Sequence, residues 1–247
     1  MDTKDLVFGI RAVIEAIEAG KEIDKILIKK DLQNDLSHEL FQILKGKGIP
    51  VQKVPIERIN RYTRKNHQGV LAFVSSVIYH KLENLVPQLY EEGRMPLLVM
   101  LDGITDVRNF GAIARTCECA GVDAIIIPRT GSVTVNGDAI KTSAGALHTL
   151  PVCRENNLSE TIKYLKNSGF RIIAATEKGA VLHTKADFTE PTLLIMGAED
   201  TGIPFEHLKY CDDKVCIPQF GHIGSLNVSV AAGILIYEAL RQREFKS

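Results

Sequence analysis

From Pro96 onward, unbroken apolar runs alternate with helical stretches, and few folds accept that rhythm. PLLVML is followed by NFGAIARTCECAG, and AIIIP comes next. Later come LSETIKYLKNSG, RIIAAT, TLLIM, KVCIP and a closing apolar helix. A strand that is apolar on both faces must be covered on both faces, so the pattern predicts an α/β fold with a parallel sheet between helices. Such sheets bind ligands in the loops beyond the C-terminal strand ends. The unusual polar residues lie there: Asp102 to Gly111, Thr176-Glu177-Lys178-Gly179, Gly197 to Gly202, and Gly221 to Asn227.

The front of the chain has another rhythm. Apolar residues at Ile10, Val13, Ile14 and Ile17 repeat with helical spacing. Short strands are predicted at 24–28, 49–51 and 70–74, and a second helix from Ser37 to Lys45. Residues 1–80 therefore form a small α/β domain, residues 81–95 read as a linker that carries Pro87 and Gly93 and has room for a short helix, and residues 96–247 form the large domain. The whole chain has no net charge, with 30 Lys and Arg against 30 Asp and Glu. The small domain has 13 against 10, an excess of three. Lys53, Arg58, Arg61, Arg64 and Lys65 face the single acid Glu57, interleaved with Tyr62, Asn66, His67 and Gln68. That mixture can hold RNA phosphates and stack on a base; a solvated surface face has the same composition.

No apolar run approaches the roughly 20 residues a bilayer requires, so no membrane partner is expected. The N-terminus has no apolar stretch of a secretory signal, and a cytoplasmic protein with reduced cysteines is the expectation. Cys117 and Cys119 stand two apart on a predicted helix, where side chains diverge, so no metal is expected. The chain has no phosphate-binding GxxxxGK[ST] loop, no GxGxxG after a strand, no HExxH and no GxSxG.

Three blocks carry the chemistry. The first is Asn109 to Thr116, the second Gly197 to Gly202, the third Ile217-Pro218 through Ser225-Leu226-Asn227-Val228-Ser229. A lone arginine among Ala112, Ile113, Ala114 and Cys117 needs a counter-anion or an exit to water. Asn109, Ser225 and Asn227 could each be a helix cap or a site residue. Glu199, between two glycines, could be a turn residue. The paired glycines Gly221 and Gly224 suggest a close approach to the backbone.

In order and spacing these blocks resemble the three motifs of the SpoU-type (TrmH-like) RNA ribose 2′-O-methyltransferases of the SPOUT class, over roughly Leu97 to Arg243. The front of the chain, LVFGIRAVIEAI and NHQGVLAFV, is similar to the L30e-like RNA-binding domain of the RlmB-like branch, whose members methylate a guanosine ribose of large-subunit (23S) ribosomal RNA. Two positions depart from the pattern: Val107 follows Asp106 where the family often has proline, and Gln219 follows Pro218 where it often has methionine. The resemblance implies a trefoil knot in the C-terminal segment, a homodimer, and S-adenosylmethionine as methyl donor. The cofactor contacts it implies fall at Thr176, Gly197, Ile217 and Leu226. The catalytic set it implies is Asn109, Arg115, Glu199, Ser225 and Asn227. The family makes the arginine a base, yet a guanidinium stays protonated at neutral pH. The expectation is that Arg115 grips a phosphate beside the target ribose, with Glu199 as runner-up base. The apolar face of Val228, Val230, Ala231, Ile234 and Leu235 fits a dimer contact. The alternatives are the same reaction on tRNA, and a non-catalytic RNA-binding or ribosome-assembly protein.

Overall fold

The computed structural model describes residues 6–177 and 181–245, so Lys178 and Gly179 of the Thr176 loop lie outside the described residues. The chain divides into two compact units. The first comprises the chain up to Ile78 together with Thr134–Asp138. Its elements are β1 (Leu6–Phe8), α1 (Ile10–Glu18), β2 (Ile23–Lys29), α2 (Asp35–Leu44), β3 (Val51–Val54), α3 (Ile56–Asn60) and β4 (Val70–Val74). The sheet order is β1-β4-β2-β3, with β2 and β3 parallel and the other pairs antiparallel. The spacing that predicts α1 buries Ile10, Val13, Ile14 and Ile17 against Ile26, Ile28 and Leu40. Helix α2 starts two residues before the expected Ser37 because Asn34 caps it. The Asn34 side chain accepts from the Ser37 amide at 2.8 Å, and Ser37 Oγ accepts from the Asn34 amide at 3.0 Å.

In the basic segment, α3 buries Ile59 beside Phe73, and the Tyr62 and Phe73 rings meet at 88° with centroids 5.1 Å apart. His67 is not available to RNA. It is 8% exposed, its Nδ1 accepts from the Gly69 amide at 3.0 Å, and its Nε2 lies 2.8 Å from Asn60 Oδ1. Gln68 sits at φ +50°, and its Oε1 accepts from the Ile10 amide, the first N–H of α1. The Asn66-His67-Gln68-Gly69 run is thus an internal lock for a tight turn. Segment 134–138 adds to this unit through the Val135 amide, which donates to Asp24 Oδ2 at 3.1 Å.

The second unit begins with β5 (Tyr79–His80) and α4 (Leu82–Glu91), followed by β6 (Leu97–Asp102), α5 (Val107–Cys119), β7 (Ala124–Pro128) and, from Ala139 on, α6 (Gly137–Thr142). Then come β8 (Val152–Glu155), α7 (Leu158–Asn167), β9 (Arg171–Ala175), β10 (Val181–Leu182), β11 (Thr192–Gly197), α8 (Phe205–Leu208), β12 (Asp213–Cys216) and α9 (Val228–Glu244). The expected linker contains α4, which buries Leu82, Val86 and Leu89 in the core of this unit. Its apolar residues recur at helical spacing, and the surrounding charges and Pro87 hide that period.

The sheet runs β10-β12-β9-β11-β6-β7-β8-β5, and every pairing in it is parallel. The chain moves outward from β6 through β7 and β8, then returns to build the other half from β9. The switch point falls between β6 and β11, so the loops after Asp102 and Gly197 leave the sheet side by side. Helix α9 packs along α5 and spans about 25 Å at 1.5 Å per residue. Its C-terminal Arg243 is anchored at the opposite, N-terminal strand ends: the guanidinium donates to the carbonyls of Phe188, Met95 and Glu190 at 2.7–2.8 Å. Among the described residues, no helix is long and apolar enough to cross a membrane.

Candidate active site

The three sequence blocks meet at the C-terminal ends of β6, β11 and β12. Asp106 is the N-cap of α5 and accepts from the amides of Arg108 and Asn109. The Arg108 guanidinium, hydrogen-bonded at 3.1 Å, holds the Asp106 carboxyl below the usual carboxylate range. Val107 takes the first helical position, where proline is favoured but not required. Because Asp106 caps the helix, Asn109 is not a cap, and its side chain is free for the site.

Asn227 is the N-cap of α9, and it is more than a cap. Its Oδ1 accepts from the Ser229 amide at 3.0 Å and from Ser229 Oγ at 2.6 Å. Its Nδ2 donates to Glu199 Oε1 at 2.7 Å and to Asn109 Oδ1 at 3.1 Å. The Val228 amide also donates to Glu199 Oε1, at 3.3 Å. A carboxylate there satisfies an otherwise orphaned N–H and complements the positive end of the helix dipole. One amide thereby joins three elements that are far apart in sequence.

Beside this network lies a cavity of about 600 Å³ whose lining includes Thr176, Gly197, Glu199, Ile217, Ser225 and Leu226. Ser225 is exposed and caps nothing. Gly197 admits no side chain: an added Cβ would lie 2.6 Å from the Ile203 nitrogen and 2.7 Å from the Gly202 oxygen. Gly111 is similar, since its Cβ position falls on Thr142, whose hydroxyl donates to the Val107 carbonyl. Within the described chain, the close approaches are at these glycines. At Gly221 and Gly224 an added Cβ meets nothing within 4 Å.

Arg115 stands apart. Six residues beyond Asn109, it is displaced about 9 Å along the helix and turned by about 240°. It is exposed and, among the described residues, has no hydrogen bond or ion pair. Cys117 is buried, which pushes its thiol up, whereas Cys119 is exposed. Among the described residues, no group of three or more His, Cys, Asp or Glu side chains could hold a metal. His222 is exposed in the third loop. Two features had no role in the sequence reading: Ser229, whose hydroxyl holds Asn227, and a buried pair, Asp102 Oδ2 to His207 Nδ1 at 2.6 Å. A lone acid closing an apolar strand was the only signal of the second.

A parallel sheet with a cavity and a polar network at its switch point is the architecture of an α/β ligand-binding domain. Residues 96–237 match the SpoU rRNA Methylase family and residues 6–80 match RNA 2′-O ribose methyltransferase substrate binding. The chain belongs to the SpoU rRNA methylase family. It is 34% identical, over 97% of its length and 96% of the relative's, to a protein of Staphylococcus saprophyticus named as a TrmH family tRNA/rRNA methyltransferase. Among solved structures it resembles the AdoMet-bound rRNA methyltransferase of Sinorhizobium meliloti, with 27% identity and TM-score 0.61. That likeness covers 98% of this chain and 88% of the other. It also resembles the SpoU methyltransferase AviRb of Streptomyces viridochromogenes in complex with AdoMet, with 25% identity, TM-score 0.61, and 96% and 89% of the two chains covered.

Proposed function

We propose that this protein methylates the 2′-oxygen of a guanosine ribose in large-subunit ribosomal RNA, with S-adenosylmethionine as donor. The observation that carries the reading is that the second and third motif blocks line one cavity, and Asn227 ties the first block to them through its bonds to Asn109 and Glu199. The cavity suits the donor: its volume is within the range of small-molecule sites. Its wall at Gly197 is bare backbone. Thr176, Gly197, Ile217 and Leu226 would hold the cofactor. When bound, it supplies an electrophilic methyl group on a sulfonium.

The chain's own residues do the rest. Asn227, fixed by three partners, is positioned with Asn109 to orient the ribose hydroxyl. Ser225 adds a hydroxyl on the same wall. Arg115, free of protein partners, holds a neighbouring RNA phosphate bidentately and stabilises negative charge growing on the 2′-oxygen. The proton leaves to that phosphate or to water. Glu199 is the second candidate acceptor, because only its Oε1 is committed to Asn227 and Val228.

The test uses transcribed rRNA and tRNA pools with labelled donor, followed by mapping of the 2′-O-methyl site. Label on a large-subunit rRNA guanosine is expected. Label confined to tRNA transfers the reading to tRNA, and no label in any RNA defeats it.

Substrate RNA is also held by the small unit in this reading. Lys53, Arg58, Arg61 and Arg64 are exposed, and among the described residues none has a carboxylate partner. Arg61, Tyr62 and Arg64 line a shallow depression of about 730 Å³. Replacing Arg61 and Arg64 by alanine is expected to raise the KM for RNA about tenfold and to flatten its salt dependence by about 1–2 in log–log slope. An unchanged slope would remove these residues from the RNA path.

The protein works as a homodimer in this reading. Phe220, Ile223, Val230 and Tyr237 are large apolar side chains left exposed on the third block and α9, with Phe220 96% and Ile223 79% exposed. Of the face expected for this contact, Val228 and Leu235 are instead used internally. Light scattering at micromolar concentration should give twice the chain mass; a monomer overturns the dimer. The segment after β12 is read as the threaded part of the knot, because the chain leaves β12 beside β9 and crosses to pack α9 on α5. An experimental backbone that straightens when both ends are pulled would refute it.

A further inference from the structure

Asp102 closes β6 at the switch point, in register with Gly197 of β11. A carboxylate at the end of a fully buried strand is costly without a partner. Its partner comes from 105 residues further on, where His207 Nδ1 lies 2.6 Å from Asp102 Oδ2. The two residues are 8% and 7% exposed. An ionised carboxylate only accepts, so Nδ1 donates and Nε2 is left toward Glu206, 3.9 Å away.

His207 belongs to α8, a helix of four residues. A helix that short has no stability of its own, so tertiary contacts decide where it sits. Between β11 and α8 runs the loop Ala198–Ile203, closed by the Gly202 amide on the Ala198 carbonyl at 2.9 Å. Within that loop Glu199 holds Asn227 and the first amide of α9. Its near end is fastened by the β6–β11 ladder. Its far end is fastened by the bond from His207 to Asp102.

We propose that Asp102 and His207 are positioning residues for the cofactor wall. Neither lines the cavity, but their neighbours do: Gly197 opposite Asp102, and Ile203 and Leu208 beside His207. The pair pins both ends of the Glu199 loop to one strand end, so the loop keeps its shape when the cavity is empty. The inference rests on the reading of that cavity as the S-adenosylmethionine site.

The test combines calorimetric binding of S-adenosylmethionine with hydrogen exchange of the ligand-free protein. His207→Leu removes the donor and keeps most of the bulk. It should raise the Kd about 10- to 30-fold and speed exchange across residues 198–208, with the β9 amides unchanged. His207→Asn places an amide N–H where Nδ1 stood and should return the Kd to within threefold of wild type. Asp102→Asn keeps an acceptor but loses its charge, and it should weaken binding about 3- to 10-fold, which decides the matter should His207→Leu not fold. A lowered Tm with unchanged Kd and unchanged local exchange makes the pair merely structural and overturns the proposal. So does His207→Asn binding as weakly as His207→Leu. A wild-type protein that binds no S-adenosylmethionine sinks the cofactor reading, while loosened exchange in His207→Leu would still show the pair's hold on the loop.

Discussion

Arg115→Lys is expected to slow single-turnover methyl transfer about 10²- to 10³-fold while leaving S-adenosylmethionine affinity within threefold. The charge survives this change, but the planar fork that grips a phosphate through two parallel N–H bonds does not. Arg115 is exposed on α5 and, among the described residues, bonded to nothing, so its charge is available to a ligand. The same freedom predicts that Arg115→Ala costs no more than about 0.5 kcal/mol of stability, as for an ordinary surface substitution. Activity and stability should therefore part company. A lysine variant with near wild-type rate would show that two-point phosphate contact is not its role. A large fall in Tm for the alanine variant would show that the side chain is part of the fold.

Gly197→Ala has the opposite signature, losing stability and binding together. Its Cβ would press on the backbone of Gly202 and Ile203, with the Ile203 nitrogen 2.6 Å away. Backbone cannot rotate aside as a flexible side chain can, so the loop must open or β11 must shift. The expected cost is about 3 kcal/mol, as for overpacking in a core, which lowers the Tm of a chain this size by about 6–12 °C. Binding of S-adenosylmethionine should fall at least 100-fold, because the displaced loop carries Glu199. Gly221→Ala is the control. Nothing lies within 4 Å of its Cβ position and its φ is not positive, so stability and affinity should hardly change. Equal damage from both substitutions, read by calorimetry, would refute the assignment of the close approach to Gly197.

That contrast shows how far local patterns reach. The run Gly221-His222-Ile223-Gly224 looks like the tighter backbone site, yet the contact falls on a glycine that closes a strand. Asn109 and Ser225 looked like caps as much as site residues. The caps are Asp106 and Asn227, because helix starts depend on backbone angles that residue type only biases. Asn66 to Gln68 could be RNA contacts or part of a solvated face, because they are polar beside arginines. Two of them are spent on the Gly69 turn and the start of α1, 58 positions away. Residues 81–95 read as a linker with at most a short helix, and burial of Leu82, Val86 and Leu89 makes Leu82–Glu91 a ten-residue helix of the core.

What the sequence determined alone is the part carried by near neighbours. Unbroken apolar runs made parallel strands inevitable, the 3- and 4-residue spacing of Ile10 to Ile17 made a helix, and three ordered blocks marked the strand ends that matter. What only the tertiary structure decided is pairing across long stretches of chain: Asn227 with Asn109 at 118 positions, and His207 with Asp102 at 105. No local period encodes such pairs. They arise because the sheet reverses its order between β6 and β11, and a buried polar group must bond to whatever that reversal brings beside it.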